Sequence, residues 1–292
     1  MATQVELLVD SHSLVGEGPL WDEEKQALYW VDIMSNKVCV YDPAKKKNTA
    51  LDVGQPVGTV VVRESGGLML ALHHGFGAFD PETKKLTLIA DPEAHLPENR
   101  FNDGKCDPAG RFWAGTMAFA ATEGAGSLYC LDTDLSVRKV LGDISISNGI
   151  VWSLDHRTMY YIDSLKKDVR AYDFDVQTGQ IANERIACRT PEEMGIPDGM
   201  AIDAEGMLWV AHYGGSRVCR WDPRTGQVLE TIPLPVSRVT ACAFGGKDLD
   251  VLYITSASYM MSAADAEKEP HAGGLFACRP GFRGVPSFRF KG

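Results

Sequence analysis

The sequence has no run of 18 apolar residues, so it offers no segment able to cross a membrane as a helix. It opens on "MATQVELLVDSHS", without a basic stretch followed by a long apolar one, so no signal peptide is expected. Its last residues, "FKG", match no common sorting signal. Positive charge is scarce: 29 Lys and Arg stand against 39 Asp and Glu, a formal net charge of −10. A nucleic acid would need a basic face for its phosphates, so that partner is excluded. The same deficit leaves no long-range attraction to acidic membranes. The only basic run, "KKK" at 45–47, reads as a solvated turn. Cys-x-x-Cys is absent. The seven cysteines (39, 106, 130, 188, 219, 242 and 278) are odd in number and mostly lie in apolar, strand-like contexts. They are expected to be reduced core thiols in a cytoplasmic protein. There is no Gly-x-Ser-x-Gly, and "HYGGS" at 212–216 reads as a strand end and a hairpin turn, not a Ser–His pair. Helical periodicity is missing too, apart from a possible turn in "SAADAEKEPH" at 262–271.

What the chain does contain is a repeat. Hydrophobic residues make up 45% of its 292 residues, enough for a sizeable core. Six segments share one design, an apolar strand, a turn and a second apolar strand. They are anchored at Leu28, Leu68, Phe112, Met159, Leu208 and Leu252, spaced 40, 44, 47, 49 and 44 residues apart. Val, Ile, Tyr, Trp and Thr fill the strands, and Gly, Asp and Pro punctuate them. "DPETKK", "DVQTGQ" and "DPRTGQ" recur at one place in units two, four and five, as hairpin turns require. The spacing predicts an all-β fold: one six-bladed β-propeller domain over 1–292, built of four-stranded antiparallel blades. The apolar stretch "VELLVD" (5–10) has no partner in its own unit, so it is expected to pair with the last blade and close the ring.

A second signature precedes the anchors by about ten residues. Four units carry an acid or amide directly before glycine: Glu17-Gly18, Asp103-Gly104, Asn148-Gly149 and Asp198-Gly199. Units two and six carry Val57 and Thr240 near that position. Asn-Gly and Asp-Gly are common turn dipeptides, and a repeat protein repeats its turns. In a propeller, however, the innermost strands converge on one channel. Glu17, Asn148 and Asp198 could then hold one hard divalent cation through oxygen, with Asn102 or Asp103 nearby. Ca²⁺ and Zn²⁺ lead as candidates, with Mn²⁺ and Mg²⁺ as alternatives. His73 and His74 lie in a unit with no acidic partner, so structural roles are expected of them. Tyr259, Met260 and Met261 follow the sixth anchor, where a channel-mouth loop could begin.

The stretches "GEGPLW", "RFNDGKCDPAGRFWAGTM", "SNGIVWSLDHRTMYYIDS", "IPDGMAIDAEGMLWVA" and "CAFGG" resemble the family that includes regucalcin (senescence marker protein), gluconolactonase and luciferin-regenerating enzymes. The resemblance implies a six-bladed propeller with a divalent metal at one channel mouth. By matching motifs, Glu17, Asn148 and Asp198 look like its protein ligands. Arg100 and Asn102 look like residues that hold the hydroxyls and ring oxygens of a sugar lactone. Asp198 also matches the carboxylate that acts as base or positions water. The implied reaction is opening of a small-molecule aldonolactone, by a monomer or weak dimer. One departure stands out. Relatives often carry acidic residues directly after "GTMA", where this chain has Phe119 and Ala120. Glu123, three residues beyond Ala120, is the acid left in that loop as a substrate contact. Gluconate-type specificity is therefore in question, and Phe119 could pack on a less polar ring or close the pocket. Two other functions would use the same metal cup: a calcium-binding regulatory protein without catalysis, and a hydrolase of organophosphates or other esters.

Overall fold

Residues 3–292 are described by a computed structural model, and their strands follow the repeat. Each anchor is the first or second residue of the second strand of its blade, and all six are buried. Six four-stranded antiparallel sheets result, giving a six-bladed β-propeller. The innermost strands are Gly16–Asp22, Val57–Val62, Asn99–Cys106, Ser147–Trp152, Ile196–Ile202 and Val239–Gly245. Each packs beside the next, and the sixth packs against the first. The ring closes as expected. Glu6–Val9 is the outermost strand of the sixth blade, with Glu6 opposite Ala277 and Leu7 opposite Phe276.

The recurrent acidic turns do local work. Asp80, Asp175 and Asp222 each end the third strand of their blade. Each accepts a hydrogen bond from the backbone two residues on, at 2.8, 2.8 and 2.9 Å. That contact fixes the hairpin to the outer strand. Between the blades lies apolar packing that includes Trp30, Trp113 and Trp209, all fully buried. All seven cysteines are free and buried. "HYGGS" is indeed a strand end and a hairpin: His212 is buried near Trp221, and Ser216 belongs to the turn. The segment near 262–271 forms a short helix, Ala263–Lys268, capped by Ser262. Among the described residues no helix is long and apolar enough to cross a membrane.

The acid-glycine pairs differ from the turn reading. They lie inside the inner strands, and every inner strand shifts register there: between Glu17 and Leu20, Val57 and Thr59, Phe101 and Gly104, Ser147 and Ile150, Pro197 and Met200, and Val239 and Cys242. A bulge bends the strand and re-aims a side chain. The glycines serve packing between blades. A Cβ on Gly149 would lie 2.7 Å from the Met200 Cβ of blade five, and one on Gly199 would lie 2.8 Å from the Ala241 Cα of blade six. One on Gly58 would lie 2.6 Å from the Phe101 carbonyl carbon.

The Gly58→Ala substitution is expected to destabilise the protein by about 1–3 kcal/mol, the usual cost of overpacking. At Gly142 an added Cβ meets only the end of the Lys139 side chain, at 3.3 Å, so Gly142→Ala should be close to neutral. Urea denaturation of the two variants checks this; equal stabilities would contradict the packing role.

Candidate functional site

The bulges bring side chains from alternate blades to the head of the channel. Glu17 (blade one), Asp103 (blade three) and Asp198 (blade five) are all buried and interact electrostatically with one another. Glu17 and Asp103 each accept a 2.7 Å bond from the following glycine N–H. Loops entering the inner strands are pinned by carboxylates at the ends of the second strands. Asp32 accepts from the N–H groups of Leu14 and Val15, and Asp163 from those of Ser145 and Ile146. These contacts position Glu17 and Asn148.

Asn148 is held on both sides. Its Oδ1 accepts from Asn102 Nδ2 at 3.1 Å, and its Nδ2 donates to Ser164 Oγ at 2.7 Å. Ser164 in turn donates to the Pro197 carbonyl, next to Asp198. Asn102 also donates to the Ser147 carbonyl at 2.8 Å. Its Oδ1 accepts from Arg100 Nη1 at 2.7 Å. Thus Arg100, Asn102 and Asn148 form one chain of hydrogen bonds across blades three and four. The guanidinium lies 5.8 Å from the ring of Phe119, a favourable cation–π contact. His73 meets that ring edge-on at 5.1 Å and stacks on His74, so both histidines stand at the rim rather than among the carboxylates. Tyr259 lies within electrostatic reach of Arg100, near the same mouth. Met260 is exposed. Glu123 is exposed in the loop after the second strand of blade three and takes no part in the bonds linking Arg100, Asn102 and Asn148.

The electrostatics are those of a group short of positive charge. Burial, then the charge of Asp103, pushes Glu17 up to about 8. Burial, Glu17 and Asp103 hold Asp198 well above the usual carboxylate range. Asp103 is raised by burial and opposed by Lys105. Arg100 falls to about 10 because it is buried. Two polar atoms of this group have no hydrogen-bond partner: Asp198 Oδ1 and Arg100 Nε. An orphaned carboxylate oxygen beside a second buried carboxylate suits a cation, and the donors here are all hard oxygens. Among the described residues no three His, Cys, Asp or Glu side chains form a metal cluster by themselves, so the amide oxygen of Asn148 would be needed with Glu17 and Asp198.

Two positions escaped the sequence reading. Ser164, which orients Asn148, follows directly after the strand "TMYYID" and carries no motif of its own. Lys105 follows two residues after Asp103, past the bulge in the same strand, and no motif marks it apart from "NDGK" itself.

Residues 15–258 match the family described as SMP-30/Gluconolactonase/LRE-like region. Regucalcin from Gallus gallus is 44% identical over 297 residues, covering 100% of this chain and 99% of that one. A solved luciferin-regenerating enzyme superposes with a TM-score of 0.93 at 34% identity, covering 99% of this chain and all of the other. A calcium-binding protein, regucalcin from Agrobacterium tumefaciens, gives a TM-score of 0.92 at 29% identity and 99% coverage of both.

The raised carboxylates set a sign for stability. With Glu17 at about 8 in the fold and near 4.5 when unfolded, the folded state holds the extra proton. Its contribution is complete below about pH 4.5 and is lost as pH rises through 8. Metal-free protein should therefore melt at a lower temperature at pH 9 than at pH 6, and the drop should shrink in Glu17→Gln. Thermal melts in chelator check this; parallel curves for the two proteins would contradict it.

Proposed function

The chain belongs to the SMP-30/gluconolactonase/LRE-like family, and from that premise we propose that it is a divalent-metal-dependent lactonase, opening a sugar lactone to the sugar acid. The observation that carries this reading is Arg100. Its buried guanidinium has an unpartnered Nε beside the Glu17–Asp198 pair, so donor, acceptor and carboxylates share one mouth. A divalent ion held by Glu17, Asn148 and Asp198 would supply Lewis acidity toward the lactone carbonyl.

The chain's own residues do the rest. Asp198 takes a proton from the attacking water as the new C–O bond forms at the carbonyl carbon. When the ring C–O bond breaks, that proton goes to the departing ring oxygen. Arg100 donates to the carbonyl oxygen and stabilises the charge that develops there. Asn102 has both amide hydrogens engaged, on Ser147 and Asn148, so its main work is to fix Arg100 and Asn148, with one Oδ1 lone pair left for substrate. Phe119 covers one side of Arg100 where an acid would read sugar hydroxyls, which favours a lactone with fewer of them. The buried, unpaired cysteines fit a reducing compartment and support a cytoplasmic protein.

A second reading is favoured by the description of the Agrobacterium relative as calcium-binding: a cation binder without turnover. Arg100 weighs against it, because a guanidinium repels a cation. Under the calcium reading, Arg100→Met binds Ca²⁺ as well as or better than the parent, and no activity exists to lose.

A panel of aldonolactones, phosphotriesters and aryl esters, each with Ca²⁺, Zn²⁺, Mn²⁺ and Mg²⁺, tests the reaction class. Lactones are expected to turn over best, and chelation should stop the reaction. Faster hydrolysis of phosphotriesters or aryl esters, or full activity without metal, would overturn the reading. Asp198→Asn should lower kcat by about 10²–10⁴-fold, the usual worth of a general base. A near-normal kcat in that variant, with metal content verified, removes Asp198 from the proton transfer.

A further inference from the structure

All six inner strands run the same way, so the carboxylates cluster at their beginnings and a different surface forms at their ends. Counting along the unbulged partner strands at about 3.3 Å per residue, Leu20 lies about 7 Å past Glu17, and Trp152 about 13 Å past Ser147. The C-terminal segment 279–292 lies across these ends. Gly284 pairs with Asp203 after blade five, and Phe290 with Arg63 after blade two. Arg289 bonds Asp22 at 2.7 Å after blade one. Phe290 is fully buried.

Strand ends and strap border a partly open cavity of about 270 Å³. Leu20, Val151, Ile202, Phe244 and Phe288 help make its walls apolar. Lys105 is the one lysine, arginine or carboxylate in its lining, which also includes His156. The ammonium donates to the Met200 carbonyl at 2.8 Å, and its other two N–H groups have no protein acceptor. Toward the carboxylates the channel narrows to a waist between Thr59, Asp103, Gly104 and Cys242, with room of about 10 Å³, no more than one water. A ligand in the cavity therefore cannot slide through to Asp198.

We propose that this cavity is a second binding site, taking a small amphipathic carboxylate whose apolar chain fills the space below the strap and whose head meets the Lys105 ammonium. The walls demand an apolar body, and the two free donors on a positive charge demand an anionic acceptor. At interior packing density the volume suits about ten non-hydrogen atoms, the size of octanoate. The site is independent of the lactonase reading, since it shares no wall with Asp198 or Arg100.

Titration calorimetry of the full chain with octanoate, 1-octanol and acetate tests this. Octanoate should bind at one per chain, octanol at least tenfold more weakly, and acetate not measurably. Lys105→Met should remove the preference for octanoate over octanol. Val285→Trp, which fills the cavity from the strap, should weaken both at least tenfold. No saturable octanoate binding, or equal binding of octanoate and octanol to the parent protein, overturns the proposal. So does octanoate binding that survives Val285→Trp, since that ligand sits elsewhere, for instance on a cation at the other mouth. If Lys105→Met fails to fold, the octanol comparison and Val285→Trp decide alone.

Discussion

Six inner strands can line one channel only if their backbones come closer than side chains ordinarily allow. Glycine removes that obstacle in this ring. Gly58, Gly149 and Gly199 each sit where a Cβ would collide with the neighbouring blade. Gly18 adds a left-handed backbone, φ +53°, against Thr59. At the same positions each strand bulges, and the residue before the glycine is turned toward the axis. Close packing and a convergent site thus come from one device. The sixth blade bulges between Val239 and Cys242 without a glycine of its own, and there it is Gly199 of blade five that leaves room for Ala241.

That convergence is electrostatically costly. Glu17, Asp103 and Asp198 are buried together, and each is held above its ordinary pKa. Two cationic side chains stand near them, Arg100 on one side and Lys105 below, and neither makes an ion pair with the three carboxylates within 4 Å. Buried charges without a paired counter-charge are normally avoided. Their presence here is the kind of local conflict that marks a functional site, where a bound ion or substrate completes the charge balance.

Much of this was legible before any coordinates. Anchor spacing gave the six blades because each blade needs one apolar second strand, and Leu28, Leu68, Phe112, Met159, Leu208 and Leu252 are each its first or second residue. The unpartnered "VELLVD" gave the closure. Glu17, Asn148 and Asp198 came from their shared register ahead of those anchors. The bulge did not come through: Asp-Gly and Asn-Gly are turn dipeptides by local propensity, and only contacts between blades keep them extended. Ser164 was invisible because its role depends on Asn148 and Pro197, which meet only once blades four and five are docked. Phe119 was singled out as a departure from its relatives, but its contact with Arg100 and His73 depends on how three loops meet at the rim.

The two ends of the channel follow from the direction of the strands. Four of the six inner strands carry an acid or amide at the bulge, and the strands of blades two to five end on Val62, Cys106, Trp152 and Ile202. Strands of that kind repeated in one direction make one mouth the more polar and the other the more apolar. The apolar mouth would be an exposed patch of the kind that invites association. The C-terminal strap covers it, tied down by Arg289 on Asp22, by Phe290 in the core and by Arg63 on the Gly292 carbonyl. The strap leaves the cavity beneath it unfilled, and its lining carries the Lys105 ammonium, two residues along the strand from Asp103. One strand therefore brings a carboxylate to the waist and, two residues on, the ammonium that lines the cavity below it.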